Sequence, residues 1–319
     1  MSIETMPLWE MEKYLGTGAR PEDFDGFWAA QKEQLSTIKT EYELKKAEFR
    51  ANNVECFHLY YTSFDGSRIH CKLVKPQTDK KVPVLFYFHG YKSSSMEWWH
   101  KAFWADQGYC VIAMDVRGQA GPSQDLTSGF GNTSIGHLAA GIEGDVEDMT
   151  FLKVYKDIIC LVNLARGFDF VDGDDLTVHG GSQGGALSLV TAALFPEAVK
   201  KAAVMFPFLS DFKRIYDLDP RGSAYEELFY IFRFNDPLHK REEEYFNKLA
   251  YIDVKNFAPM IKAEVMMASG LRDEMCPAST HFAVYNNLRC KKKHIVYPDF
   301  GHEDFLPDYL DECCLFLKR

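Results

Sequence analysis

Short apolar runs recur along the chain, and segments with helical periodicity separate them. Val82–Phe88 is an almost uninterrupted apolar run, which is typical of a strand buried on both faces of a parallel sheet. Further strand-like runs follow at 108–115, 176–179, 202–206, 263–268 and 294–297, with helical segments between them. This alternation predicts an α/β fold in which a mostly parallel sheet is covered by helices on both faces.

The part of the chain before this alternation has a different pattern. Residues 1–53 are predicted to form an N-terminal extension on the domain, with a helical stretch from Pro21 to about residue 35. Residues 54–61 and 67–74 alternate in polarity around a turn, which predicts an antiparallel hairpin. Three residues in these strands could serve as metal ligands, but they lack a fourth partner and are interpreted as half-exposed sheet residues: His58, His70 and Cys71.

Two stretches interrupt the regular pattern. Residues 118–144 are rich in Gly, Ser and Asn, and residues 206–251 contain aromatic helical segments such as 224–232. Long irregular connections in a compact domain usually serve a site or an interface. We expect both to be insertions near the active site or a subunit interface, and the sequence leaves open whether 206–251 is a lid or an interface. No repeat or linker divides the chain, so one domain is predicted over 1–319.

Composition restricts the possible partners. The chain has 36 Lys+Arg against 46 Asp+Glu, a formal charge of −10, which disfavours nucleic acid or an anionic membrane as the main partner. Neither a signal-peptide pattern nor an apolar run near the ~20 residues of a membrane span is found, so a soluble cytoplasmic protein is expected. The eight cysteines are spread without metal-ligand spacing, and neither a disulfide nor a structural metal is expected.

The stretch 178–189 carries the strongest chemical signal. Residues 180–184 read Gly-Gly-Ser-Gln-Gly, the G-x-S-x-G pattern of a nucleophile elbow, in which serine lies on a sharp strand-to-helix turn. A strand-like run, which follows an acidic turn at 172–175, precedes the motif and an apolar helical run follows it. Ser182 is therefore the candidate nucleophile, and the alternative is an ordinary βα turn with an inert serine.

A serine nucleophile needs a histidine base and a carboxylate that orients it, in the chain order serine, acid, histidine. His302 is the preferred base because it lies in the loop after the last predicted strand. Asp273 is the preferred acid because it follows the preceding strand. The competing residues weighed for these two roles are His239, His281, His294, Glu274 and Asp299; Asp273 could instead cap the following helix.

The developing oxyanion needs backbone donors. The N–H groups of Gln183, which follows the nucleophile, and of Tyr91, in the loop after the run 82–88, are the candidates. His89 is interpreted as a residue that orients this loop. We expect Phe206, Pro207 and Phe208 to form a wall of the substrate pocket. Together these residues predict a serine ester hydrolase that needs no cofactor, with other acyl specificities, peptidase or dienelactone-type activity, and a non-catalytic binding protein as alternatives.

The motifs resemble those of a known family. They are Arg117-Gly118-Gln119, the elbow extended to Gly185, Gly270-Leu271-Arg272-Asp273 followed by Cys276-Pro277 and Ser279-Thr280, His302-Glu303, and residues 21–25. This set is similar to the signatures of the acetyl xylan esterase/cephalosporin C deacetylase family, carbohydrate esterase family seven, over essentially the whole chain. One departure is Ala120, where the family signature has a further glycine, and it changes the expected path of that loop.

The resemblance implies an α/β-hydrolase that removes acetyl groups from small substrates such as acetylated xylo-oligosaccharides and cephalosporin C. It also implies Ser182, Asp273 and His302 as the catalytic triad and Tyr91 and Gln183 as oxyanion donors. Arg117 and Gln119 are expected to support the site as scaffold. Members of the family are intracellular homohexamers, so the same assembly and location are expected here.

Overall fold

The computed structural model describes residues 4–127, 136–220 and 222–318. Parts of the segments defined from sequence therefore lie outside the described residues: 1–3 of the N-terminal extension, 128–135 of the stretch 118–144, and 221 of the stretch 206–251. Residue 319 of the predicted domain also lies outside them.

The described residues form strands and helices in alternation through most of the chain. The strands, β1 to β9 in chain order, are Tyr42–Lys46, Val54–Thr62, Arg68–Pro76, Val82–Phe88, Cys110–Met114, Val171–Gly181, Val199–Met205, Glu264–Gly270 and Lys292–Tyr297. The helices, α1 to α11, are Leu8–Met11, Phe24–Ser36, Trp99–Asp106, Thr150–Arg166, Gln183–Leu194, Phe212–Leu218, Glu226–Tyr230, Glu242–Leu249, Val254–Phe257, Ala278–Asn287 and Tyr309–Leu317. Short 3₁₀ turns occur at Val146–Asp148 and Ala258–Met260, and a π-helical turn at Ile231–Asn235.

The strands build one nine-stranded sheet in the order β1-β2-β3-β5-β4-β6-β7-β8-β9. Strands β1, β2, β3 and β5 pair antiparallel, whereas β5, β4, β6, β7, β8 and β9 pair parallel. The predicted hairpin and mostly parallel sheet are both present. Because parallel strands end at the same edge, the loops after β4, β6, β8 and β9 are brought together there.

Alternating side chains of the central strands enter two different cores. On β4, Val84 and Phe86 pack with residues of α2, α4 and α5, whereas Leu85 packs with residues of α3 and α11. A strand with apolar side chains on both faces must be covered on both faces. The uninterrupted apolar run 82–88 therefore sits at the centre of the sheet, with helices on either side.

Three local expectations from sequence are wrong. The acidic stretch 172–175 lies inside β6 instead of forming a turn before it. Pairing with β4 moves directly from Asp172 to Leu176, so the intervening residues are accommodated as a bulge in a strand that began earlier than its apolar run.

The second error concerns the hairpin. His70 and Cys71 are buried, not half-exposed, because β3 is an interior strand between β2 and β5. The third concerns the helix predicted over 224–232. Regular α-helix covers only Glu226–Tyr230, and the chain then widens into the π-helical turn.

Candidate functional site

Ser182 occupies a strained turn between β6 and α5. Its backbone angles are φ 56° and ψ −121°, a region that non-glycine residues rarely adopt and that costs about 1–3 kcal/mol. The last residue of β7 and the segment that follows it hold this turn in place: the Ser182 N–H donates to the Met205 carbonyl at 3.1 Å, and the Ser182 carbonyl accepts the Phe208 N–H at 3.1 Å. The strain is thus supported by neighbouring backbone and aims the serine side chain away from the strand.

The glycines of the motif allow the close approach of backbone to backbone. A Cβ atom on Gly184 would lie 2.0 Å from the carbonyl oxygen of Phe88, at the end of β4. A Cβ atom on Gly185 would lie 2.7 Å from the carbonyl oxygen of Met205. The first turn of α5 therefore packs directly against the ends of β4 and β7, and glycine at both positions is a steric requirement.

Asp273 and His302 meet across the loops that follow β8 and β9. His302 Nδ1 lies 2.7 Å from Asp273 Oδ2. The other carboxylate oxygen, Oδ1, accepts the N–H groups of Met275 at 2.9 Å and Cys276 at 2.7 Å. The buried carboxylate is thus held by its own turn on one side and by the imidazole on the other, which is the arrangement that fixes a histidine tautomer.

The competing acids are engaged elsewhere or exposed. Asp299 forms an ion pair with Arg272 at 2.7 Å, and Glu274 is exposed to solvent. Of the competing histidines, His294 lies in β9 and bonds Ser269 at 2.9 Å, and His239 bonds the carboxylate of Glu242 at 2.9 Å.

The surroundings of Ser182 and His302 include Phe206 and Cys276. The Phe206 ring is 4.3 Å from the His302 ring, centroid to centroid. The Ser182 side chain hydrogen-bonds Cys276, a thiol whose pKa burial raises well above its ordinary value. Among the hydrogen bonds of residues 4–127, 136–220 and 222–318, none joins Ser182 to His302; such catalytic contacts often tighten only in the substrate complex.

The two loops that carry the candidate oxyanion donors are joined by amide side chains. Gln183 is the first residue of α5, so its backbone N–H is one of the helix donors without an intrahelical acceptor. Its side chain donates to the His89 carbonyl at 3.3 Å, and its amide oxygen accepts from Gln119 Nε2 at 2.7 Å. Gln119 Oε1 in turn accepts the Lys92 N–H at 2.9 Å. This pair of amides ties the loop after β4 to the elbow.

Contacts of His89 and Tyr91 fix the rest of that loop. His89 Nε2 accepts the Val116 N–H at 3.0 Å, and its Nδ1 donates to the Gly90 carbonyl at 2.7 Å. Burial lowers the pKa of His89, which favours the neutral ring that these two bonds require. The Tyr91 ring stacks against Phe208 at 5.4 Å between centroids.

Arg117 and Asp157 form a buried ion pair beneath the site. Arg117 is fully buried and contacts Asp157 through Nε at 2.7 Å and through Nη2 at 2.6 Å. A further bond joins it to Asp65 at 2.6 Å. Burial raises the pKa of Asp157, and the guanidinium opposes that effect. These contacts link β5, α4 and the hairpin turn, so Arg117 acts on the framework and not at the reacting atoms.

A cleft of about 520 Å³ opens beside the loop after β4. Its lining residues come from that loop, from the stretch 118–144 and from the stretch 206–251: Tyr91, Lys92, Gly118, Gln119, Ala120, Gly136, His137, Ser223, Glu226, Glu227 and Tyr230. Ala120, the position that departs from the family signature, donates its N–H to the Ser93 carbonyl at 3.2 Å. Within the described residues, no group of three or more His, Cys, Asp or Glu side chains could hold a metal ion.

The contacts of three residues next to these groups were not predicted from sequence. Cys276 contacts Ser182, Glu227 binds the Tyr91 hydroxyl, and buried His281 lies 3.9 Å from Asp273, Nε2 to Oδ2. Burial lowers the pKa of His281 to about 4. Glu227 precedes Leu228 and lies four positions before Ile231, so helical periodicity could have placed its carboxylate on the buried face; nothing in the sequence marks the other two contacts.

The whole chain, residues 1–319, matches a family model described as acetyl xylan esterase (AXE1). Its fold is similar to the crystal structure of acetyl xylan esterase 1 from Thermoanaerobacterium sp. JW/SL YS485, with 45% identity, a TM-score of 0.94 and 98% of each chain covered. Acetyl xylan esterase from Paenibacillus sp. R4 is 32% identical, with a TM-score of 0.92 over 98% of this chain and 99% of that chain.

Acetyl esterase Axe7A from Xylanibacter ruminicola is 29% identical over 290 residues, which are 88% of this chain. The match spans 63% of the length of Axe7A. In the described part of the chain, no helix is both long and apolar enough to cross a membrane. The family resemblance seen in the motifs is confirmed: the chain belongs to the acetyl xylan esterase family and has the α/β-hydrolase fold.

Proposed function

We propose that the protein is a serine ester hydrolase that removes acetyl groups from small acetylated substrates, such as acetylated xylo-oligosaccharides and cephalosporin C. The observation that carries this proposal is the 2.7 Å contact between His302 and Asp273 at the sheet edge that also presents Ser182. The names of the two solved relatives, both acetyl xylan esterases, support acetyl transfer as the reaction. No cofactor takes part in the proposed reaction.

In the first half of the reaction, Ser182 Oγ attacks the ester carbonyl carbon while His302 Nε2 accepts the hydroxyl proton. Asp273, bonded to Nδ1, stabilises the imidazolium that forms. The carbonyl oxygen becomes an oxyanion that receives hydrogen bonds from the Tyr91 and Gln183 N–H groups. When the tetrahedral intermediate collapses, the bond to the alcohol breaks and His302 returns its proton to the departing oxygen.

In the second half, water attacks the acetyl-Ser182 ester. His302 removes a proton from the water, and the same donors stabilise the second oxyanion. Collapse releases acetate and returns the proton to Ser182 Oγ.

The acyl group is proposed to sit against the segment Phe206, Pro207 and Phe208. Phe206 packs on His302 and Phe208 packs on Tyr91, so a short acyl chain would be enclosed between residues that contact the catalytic groups. A series of p-nitrophenyl esters tests this acyl specificity. A preference for chains of six or more carbons would contradict it and favour an esterase of broader specificity.

The domain organisation, which follows from the sequence pattern, and the assembly and location, which follow from the family resemblance, are also part of the proposal. The whole chain is proposed to act as one catalytic domain that assembles as a homohexamer in the cytoplasm. The stretches 118–144 and 206–251 are proposed as insertions that border the substrate cleft. Sedimentation velocity measures the assembly directly, and a monomer at working concentrations would contradict the hexamer.

Replacement of the proposed nucleophile tests the function. Ser182→Ala should abolish hydrolysis of p-nitrophenyl acetate, because loss of a serine nucleophile removes about 10⁶-fold in kcat in a comparable triad. Ser188→Ala is the matched control: Ser188 is a buried serine on α5, the helix that follows Ser182, and this variant should retain turnover. Both variants should unfold near the wild-type temperature. Substantial turnover by folded Ser182→Ala would refute the assignment.

A further inference from the structure

A buried carboxylate on α7, that of Glu227, forms hydrogen bonds with the loop that carries one proposed oxyanion donor. Glu227 is only 5% exposed. Its two oxygens accept the Tyr91 hydroxyl at 2.7 Å and 2.9 Å. Oε2 also accepts the Leu138 N–H at 2.9 Å, and Oε1 lies 3.3 Å from Lys92 Nζ.

These contacts join three separate parts of the chain. Glu227 belongs to the stretch 206–251, Leu138 to the stretch 118–144, and Tyr91 to the loop after β4. The Tyr91 hydroxyl also accepts the His137 N–H at 3.1 Å. An ideal Cβ on Gly136 would lie 2.0 Å from the Glu227 carboxyl carbon, so the segment after residue 135 packs closely around this carboxylate.

The Tyr91 side chain is consequently held at both ends. Its ring stacks on Phe208, and its hydroxyl donates to Glu227. Burial and the neighbouring carboxylate raise the pKa of Tyr91, so the hydroxyl stays protonated and remains a donor. A side chain held at both ends restricts the rotation of its own backbone, and the direction of the Tyr91 N–H depends on that rotation.

We propose that Glu227 is a positioning residue for the oxyanion hole: it holds Tyr91 so that the Tyr91 N–H points at the developing oxyanion. This inference rests on the proposed ester hydrolysis and extends it to a residue outside the triad. Glu227 acts through Tyr91 and does not contact the reacting atoms. Lys92 and two hydrogen-bond donors, the Tyr91 hydroxyl and the Leu138 N–H, offset its negative charge, which would otherwise oppose an oxyanion nearby.

The alternative role for Glu227 is direct contact with substrate, because it also lines the cleft. The two roles differ in kinetics. Loss of a contact to bound substrate raises KM, whereas misalignment of a donor that acts in the transition state lowers kcat with little change in KM. p-Nitrophenyl acetate is the appropriate substrate because its aromatic leaving group lacks the hydroxyls of a sugar.

The test is Glu227→Gln, which replaces one carboxylate oxygen by an amide NH₂ that cannot accept a hydrogen bond. We expect kcat for p-nitrophenyl acetate to fall about ten- to hundredfold, since small misplacements of catalytic groups have effects of this size, while KM stays within about twofold. Affinity for a trifluoromethyl ketone, which forms a tetrahedral adduct with serine, should fall in parallel with kcat/KM. Glu243→Gln, an exposed position in the same stretch, is the matched control and should leave kinetics unchanged.

Tyr91→Phe provides a second route if the first variant folds poorly. It removes the hydroxyl and keeps the backbone N–H, and it should lower kcat in the same way. The double variant should lose less than the product of the two single losses, because both remove one interaction. An unchanged kcat in folded Glu227→Gln, or an effect confined to KM, would overturn the inference. Lack of hydrolysis by the wild-type protein would instead refute the proposed function itself.

Discussion

At the scale of single residues, the site depends on a strained serine backbone and on a close backbone approach that only glycine permits. Ser182 keeps a positive φ because backbone groups of Met205 and Phe208 hold it. The adjacent helix can approach only because Gly184 lacks a Cβ. The strained backbone of Ser182 and the missing side chain of Gly184 are therefore both required for the turn between β6 and α5.

Gly184→Ala should damage both stability and catalysis. The new methyl group would start 2.0 Å from the Phe88 carbonyl oxygen, so either α5 or the end of β4 must move. Overpacking of this kind costs about 1–3 kcal/mol, and the displacement separates Gln183 from the loop that bears Tyr91. We expect a lower free energy of unfolding in urea and a fall in kcat/KM for p-nitrophenyl acetate of at least about tenfold.

Gly26→Ala is the control for this substitution. Gly26 lies within α2 and has open space where a Cβ would be built, so alanine should be neutral or stabilise the helix by up to about 1 kcal/mol. Equal stability and activity in Gly184→Ala and wild type would show that the close approach is not needed.

The residues of the proposed triad were predictable because their order along the chain follows from the fold. In a parallel sheet, loops after successive strands meet at one edge, so Asp273 and His302 could be paired from their positions after two strands. The contacts of Cys276 and His281 were not predictable. They depend on how α10 packs under the acid loop, which no local pattern encodes.

At the scale of elements, one buried carboxylate attaches the N-terminal segment to the residue that precedes α6. Asp211 Oδ2 accepts the Tyr14 hydroxyl at 2.7 Å, and Oδ1 accepts the Thr17 N–H at 2.9 Å. Burial, followed by the nearby charge of Asp253, raises the pKa of Asp211 to about 6. The N-terminal extension is thus attached through a group that titrates at mildly acidic pH.

This attachment should make stability depend on pH. Between the unperturbed aspartate pKa of about 4 and the folded value of about 6, the folded state keeps a proton that the unfolded state has lost. Stability contributed by Asp211 therefore falls as pH rises through this window, by at most about 3 kcal/mol. Asp211→Asn should remove that decline, as measured by urea unfolding at a series of pH values from 4 to 7.

Asp217→Asn, at a more exposed position on α6, is the control and should follow the wild-type dependence on pH. Identical pH profiles for Asp211→Asn and wild type would contradict the account. A constant offset between them is expected in any case, because the amide accepts fewer hydrogen bonds than the carboxylate.

The elements themselves were predictable to different degrees. Strand β4 matches its apolar run residue for residue, because a strand buried on both faces leaves a continuous signal. The start of β6 was missed because its first residues are acidic and partly bulged. The α-helix predicted over 224–232 covers only Glu226–Tyr230, because a π-helical turn replaces its end. That turn depends on tertiary packing around Phe232 and not on local sequence.

At the scale of the whole molecule, the sheet order explains why distant segments reach one site. The loop after β4, the elbow after β6 and the loops after β8 and β9 all leave the same edge of the parallel part. The α/β class and the family were both predictable, the first from periodicity and the second from motifs spread over the chain. The hydrogen bond between Tyr91 and Glu227 was not predictable from sequence. It joins residues 136 positions apart, and Glu227 lies in one of the two irregular stretches.

The most direct test of the central claim is the identity of the residue that carries the acetyl group during turnover. The protein is mixed with p-nitrophenyl acetate, quenched in acid within the first turnover, digested and mapped by mass spectrometry. The account predicts a single acetyl group on the peptide that contains Ser182, and none in the Ser182→Ala variant. Turnover with acetyl absent from Ser182, or present on another residue that the Ser182→Ala variant retains, would contradict it.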